Sequence, residues 1–130
     1  PSAVEPYGGA ATGVGGVIRD ILSAGTRPIA IFDGLRFGNI AKDMHARWLF
    51  KNAVTGIADY GNCLGIPTIG GEVEFDECYK NYALVDVAAL GFGKKENLIK
   101  NHAKKGDIVV LMGGSTGRME LVALNLHQTL

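Results

Sequence analysis

Residues 5–20, EPYGGAATGVGGVIRD, crowd five glycines ahead of an arginine and an aspartate. Without a Cβ, successive glycines let backbone N–H groups converge on an anion, and a helix starting after them adds its own free N–H groups and positive end. Gly8, Gly9, Gly13, Gly15 and Gly16 are therefore phosphate-loop candidates. Thr12 can cap the helix or donate its hydroxyl to a phosphate oxygen. Arg19 offers a planar fork for a substrate phosphate, and Asp20 a hard oxygen ligand for Mg²⁺, both read onto the first turns of the helix. The competing reading has the glycines permit close helix packing while Arg19 and Asp20 are a solvated face. The dinucleotide fingerprint requires a strand immediately upstream and the P-loop a lysine beside Ser or Thr; neither accompanies this stretch.

Other residues carry weaker signals. Glu72, Glu74 and Asp76 alternate onto one strand face, with Glu77 beside them, and a solvated face explains them better than a metal. His45, His102 and His127 have no cysteine or carboxylate at ligand spacing. Asp33 and Arg36 follow PIAIF, where α/β proteins place ligand contacts, or they form a salt-linked turn. Tyr7 either shields the glycine stretch or packs beneath it.

The elements that must position these residues follow a mixed α/β rhythm. Val14, Val17, Ile18, Ile21 and Leu22 recur at helical spacing, with Gly25 at the expected stop. PIAIFD reads as a short strand. The stretch from about Ile40 to Tyr60 reads as the longest helix, with Leu49, Ala53 and Ile57 on one face, stopped by Gly61 and Gly65-Ile66-Pro67. TIGGEVEF and ALVDVAALGF read as strands, the first interrupted at Gly70-Gly71 by a bulge or close backbone approach, the second nearly continuous in apolar character and so expected to be central. KKENLI reads as a short polar helix. DIVVLMGG reads as a last buried strand ending in the glycine turn GGSTGR. The class is α/β (α+β): a mixed sheet packed with helices.

Composition narrows the function. With 13 basic and 13 acidic residues among 130 the formal charge is zero, and no nucleic-acid or anionic-membrane partner is indicated. No apolar run approaches the length of a membrane span, so a cytoplasmic protein is expected. Cys63 and Cys78 read as reduced, mostly buried thiols, too few for a staple framework or a zinc site.

PSAVEPYGGAATGVGGVIRD closely resembles the signature region of the phosphoribosylformylglycinamidine synthase family, in its synthetase subunit. The resemblance continues through GTRPIAIFDGLRFG, GIADYGNCLGIPTIGGEVEFDE, NYALVDVAALGFG and GDIVVLMGGSTGR. It implies an amino-terminal domain of the aminoimidazole ribonucleotide synthetase type at 1–118, incomplete, followed by a divergent or non-native tail at 119–130. It also implies an ATP- and Mg²⁺-dependent ligase that turns formylglycinamide ribonucleotide and glutamine-derived ammonia into the amidine. By this resemblance Arg19 binds substrate, Asp20 binds magnesium, and the catalytic histidine lies just before Pro1, so the chain alone is expected to be inactive. The implied partners are a glutaminase subunit or domain, a small accessory subunit, and a second copy joined through sheet pairing as a homodimer. The alternatives are a non-catalytic module for a phosphorylated ligand or for dimerisation, and another ATP-using synthetase of the same superfamily.

Overall fold

The computed structural model describes residues 2–113, which form a compact unit over Ser2–Ile99 and a separate segment from Lys100 onward. Helix α1 spans Pro6–Ser23. The Glu5 side chain accepts a hydrogen bond from the Gly8 N–H, and Pro6 fills the first turn, where a missing N–H costs nothing. Strand β1 runs over Arg27–Phe37 and α2 over Met44–Leu64. Asp43 caps α2 by accepting from the His45 N–H at 2.8 Å. Gly65 ends it at φ +67°, a left-handed position that suits glycine, while the Ile66 N–H returns to the Gly61 carbonyl at 3.0 Å. Strand β2 covers Thr68–Phe75 and β3 covers Ala83–Phe92.

The sheet order is β2-β1-β3, with β1 parallel to β2 across the α2 connection and antiparallel to β3. The continuous apolar strand β3 is thus an edge of the described sheet, and the central place belongs to β1. Only one face of β3 is covered: Ala83, Val85, Val87 and Ala89 pack on the core, while the residues between them are exposed. Both helices lie on that face. Ala10, Val14 and Ile18 of α1 meet Ile31, Leu35 and Phe37 of β1 and Leu49, Ala53 and Ile57 of α2 in one apolar cluster. The rings of Phe37, Phe50 and Phe75 extend it edge to face, with centroids 5.3 and 5.4 Å apart.

Several expectations change. The glycine stretch is not a loop, because α1 already begins at Pro6. The PIAIFD strand continues to Phe37, so Asp33 and Arg36 lie within it. The second helix starts at Met44, Gly61 lies inside it, and Gly65 alone ends it. KKENLI supplies only a short 3₁₀ turn at Lys95–Asn97. Residues 107–113 include no strand, and Ile108 to Met112 are exposed. Both cysteines are exposed. A bulge is present in β2 just before the glycine pair: Thr68 opposes Ile31 and Gly70 opposes Phe32, so Ile69 is the extra residue. At Gly71, φ is +134° and a Cβ would collide with the Asp33 backbone. The remainder of GGSTGR from residue 114, His127 and the tail at 119–130 lie outside the described residues.

Candidate functional site

The five glycines of α1 divide between two uses. Gly15 faces α2, where a Cβ would come within 2.7 Å of the Tyr60 hydroxyl oxygen, and Gly9 leaves room for Ser2. From α2, Gly56 answers with the same economy: a Cβ there would run into the Tyr7 backbone. The Tyr7 hydroxyl donates to Asp59 at 3.0 Å across the same contact, and this bond together with the Asp59 charge pushes the Tyr7 phenol above its ordinary value. Gly8 sits against the capping Glu5 and Gly13 toward Val87 of β3. Tyr7 therefore ties α1 to α2 instead of shielding a loop.

Gly16 is different. Nothing lies within 4 Å of where its Cβ would be, and with Thr12, Arg19 and Asp20 it forms an exposed strip at helical spacing. Arg19 and Asp20 have no side-chain hydrogen bond or ion pair among the described residues. They occupy the last third of α1, not its first turns. Pro6 and Arg19 are separated by about 20 Å of helix at 1.5 Å per residue, so the positive end of α1 contributes nothing to an anion held by Arg19. The N–H groups after the first turn are already bonded within the helix, as the Gly9 N–H is to the Glu5 carbonyl at 2.9 Å. A phosphate cradle of loop N–H groups at Gly8, Gly9, Gly13, Gly15 and Gly16 is therefore replaced by a side-chain strip on a helix face.

The remaining candidates serve the sheet. Asp33 points to the helix side of β1, is 7% exposed, and accepts from the Thr68 hydroxyl at 3.0 Å, while its Oδ1 has no partner among the described residues. Burial pushes this carboxyl above its ordinary value; the Thr68 bond pulls the other way. Arg36, on the opposite face, pairs with Glu72 and with Glu74, the latter at 2.9 Å. Asp76 does not join them: it caps the 3₁₀ turn Glu77–Tyr79 by accepting from the Cys78 N–H at 2.8 Å. His45 stacks on Trp48 at the exposed start of α2, and His102 is exposed. Among the described residues no group of three His, Cys, Asp or Glu side chains could hold a metal, and no helix is long and apolar enough to cross a membrane. Gly56, Asp59 and Thr68 carry no local motif, and only their partners in space reveal them.

Residues 1–92 match the family AIR synthase related protein, N-terminal domain. Curated relatives include phosphoribosylformylglycinamidine synthase subunit PurL of Thermococcus sibiricus, 56% identical over 119 residues, and that of Thermoanaerobacter sp., 54% identical over the same length. Each alignment covers 91% of this chain but 16% of the relative, so the chain spans about a sixth of such proteins. Among solved structures, T. maritima PurL complexed with FGAR superposes with a TM-score of 0.70 at 46% identity, covering 81% of this chain and 16% of that one. T. maritima PurL complexed with ATP gives 0.69 at the same identity, over 81% of this chain and 17% of that one. With its two helices on one side of a mixed three-stranded sheet and this match over its first 92 residues, the chain belongs to the AIR synthase related protein family, whose N-terminal domain it carries.

Proposed function

We propose that this chain is part of an ATP-dependent carbon–nitrogen ligase that converts formylglycinamide ribonucleotide, with ammonia from glutamine, into formylglycinamidine ribonucleotide, and that its helix α1 contributes to the substrate site. The observation that carries the reading is the exposed strip Thr12–Gly16–Arg19–Asp20, lying within a segment similar to T. maritima PurL complexed with FGAR and with ATP. In such a site Arg19 holds the ribonucleotide phosphate through charge-assisted hydrogen bonds. Gly16 lets the ligand approach the helix backbone, and the Thr12 hydroxyl is within the same strip. Asp20 fits Mg²⁺ as one exposed carboxylate with no competing partner among the described residues, and the other ligands come from elsewhere in the site. When bound, ATP would supply the phosphoryl group that activates the substrate amide oxygen, and Mg²⁺ would neutralise the charge on its phosphates. The catalytic histidine belongs to the segment expected before Pro1.

The assembly is read in the same way. The similarity to a structure of PurLQS from T. maritima is in keeping with a glutaminase and an accessory subunit as partners here. The sheet face without helices is the pairing surface for a second sheet, in trans or within a duplicated chain, and the whole is placed in the cytoplasm with purine synthesis. The test is steady-state ligase activity of the parent-length protein, with ribonucleotide and Mg²⁺ titrated separately. Arg19→Ala is expected to raise the ribonucleotide requirement, and Asp20→Asn the Mg²⁺ requirement. Unchanged dependence on both ligands defeats the site assignment and leaves the fold untouched.

A further inference from the structure

Two hydroxyl groups reach the exposed side of α1 without a partner. In a helix a short hydroxyl side chain usually bonds a carbonyl one turn back, as Ser23 does to Asp20 at 2.9 Å and Thr55 to Lys51 at 2.8 Å. Thr12 makes no side-chain hydrogen bond among the described residues, and the cap of α1 is Glu5, not Thr12. Tyr60 of α2 packs its ring on the core, while its hydroxyl oxygen ends over Gly15, 2.7 Å from where a Cβ would stand, again with no hydrogen bond among the described residues. A tyrosine hydroxyl at the end of a packed ring ordinarily finds a partner.

Helical geometry brings the two hydroxyls to one place. At about 100° per residue, Thr12 and Arg19 lie within about 20° of each other around α1 and about 10 Å apart along it. The line between them runs between Gly15 and Gly16, about 60° away on one side and about 40° on the other, so only backbone lies beneath it. The Tyr60 hydroxyl borders that line on the Gly15 side, and Asp20 lies across Gly16 on the other. Arg19 is placed to reach back along it, since a helical side chain covers the turn before its own Cα. Nothing lies within 4 Å of the Gly16 Cβ position, so neither Arg19 nor Asp20 fills the space. Thr12 and Gly16 do not serve the helix itself, because both are weaker helix formers than alanine and both are exposed.

Two hydroxyl donors and a planar guanidinium over a floor without Cβ atoms suit a tetrahedral anion, whose oxygens accept from several sides at once. We propose, on the reading of α1 as part of the substrate site, that Thr12 and Tyr60 complete a phosphate seat with Arg19. The two hydroxyls and the guanidinium hold the phosphate monoester of the ribonucleotide above Gly15 and Gly16. Asp20, on the far side of Gly16, keeps its carboxylate off the anion.

The parent-length protein tests it, with ribose 5-phosphate as a binding probe followed by calorimetry and the ribonucleotide followed by steady-state ligase kinetics. Thr12→Val and Tyr60→Phe keep the shape of each side chain and remove the hydroxyl. Each is expected to weaken ribose 5-phosphate binding about tenfold and to raise the KM for the ribonucleotide by the same factor, with kcat and the Mg²⁺ dependence unchanged. Thr12→Ser is expected to restore both. Gly16→Ala is expected to weaken both ligands even though it favours the helix, which separates loss of the seat from loss of the fold. No ribose 5-phosphate binding to the unmodified protein, or equal binding in Thr12→Val and Tyr60→Phe, overturns the seat. If Arg19→Ala still raises the KM in that case, the substrate-site reading stands without it. A lower urea midpoint at unchanged affinity assigns the Tyr60 hydroxyl to packing and likewise overturns the seat. If the parent-length protein has no ligase activity, the reading of its function fails while the binding of ribose 5-phosphate still decides the seat.

Discussion

Phe37 and Phe32 belong to the same strand, yet Phe37 is wholly buried against Phe50 of α2 while Phe32 keeps 37% of its surface exposed on the other side of the sheet. The faces of β1 alternate by one residue, and everything above them differs. On the helix side Ile31, Leu35 and Phe37 are closed over by α1 and α2, and the one carboxyl there, Asp33, is buried with a single partner. On the open side Gly34 and Arg36 sit among exposed carboxylates and apolar residues. The helix side is completed by this chain's own elements, so its residues report stability. Among the described residues no element packs on the open side, and under the proposed pairing its residues would report association.

The sharpest break is between the two phenylalanines. Phe37→Ala is expected to cost about 3–5 kcal/mol, because it removes a fully buried ring and leaves a cavity that the sheet cannot collapse to fill. Phe32→Ala is expected to cost about 1 kcal/mol or less, since much of the ring is already in water. Urea midpoints of the two variants check this, and equal losses would mean that the open face is covered in solution.

Next come the glycines at the helix contact. Gly56→Ala is expected to cost about 2 kcal/mol by driving a methyl into the Tyr7 backbone and parting α1 from α2. Gly16→Ala meets open space and is expected to gain about 0.5–1 kcal/mol from helix propensity. Opposite signs from the same substitution would confirm that the glycines of this region serve different ends.

Within the helix side, Asp33 gives a smaller and pH-dependent effect. Thr68→Val is expected to cost about 1 kcal/mol, since it removes the only side-chain hydrogen bond that a buried carboxyl makes among the described residues. Asp33 holds its proton more tightly in the folded chain than in the unfolded one. Folding therefore takes up a proton between the ordinary carboxylate value and the raised one, and stability falls as pH rises through that window. Asp33→Asn is expected to flatten this slope, which urea midpoints between roughly pH 4 and 7 would reveal. The smallest effect on stability is expected at Arg19→Ala and Asp20→Asn, below about 0.5 kcal/mol each, because both side chains face water. A larger loss would show that the strip is part of the packing.

Much of the fold could be read before any coordinates. The bounds of β2 and β3 coincide with the two strand segments expected from their apolar residues and turn signals, and Val14, Ile18, Leu49, Ala53 and Ile57 are core residues at the helical spacing that pointed to them. The start of α1 was not among these: the helix was expected only after the glycine stretch, because five glycines within eleven residues argue against helix by intrinsic preference. Tertiary contact overrode that preference. The order of the strands was less legible, because continuous apolar character in ALVDVAALGF marks burial only if both faces are covered, and one face of β3 is not.

What the sequence determined by itself is local: which segments take helical or extended backbone, where Gly65 must stop a helix, and which family the signature around Arg19 and Asp20 resembles. Those properties depend on residues a few places apart. What only the tertiary structure decided is how the same residue types are used. Gly15 and Gly56 are contact glycines because Tyr60 and Tyr7 arrive from the other helix, and Gly16 is open because nothing arrives. A glycine specifies only that space is available; the elements that fold against it determine whether that space is filled, and by what.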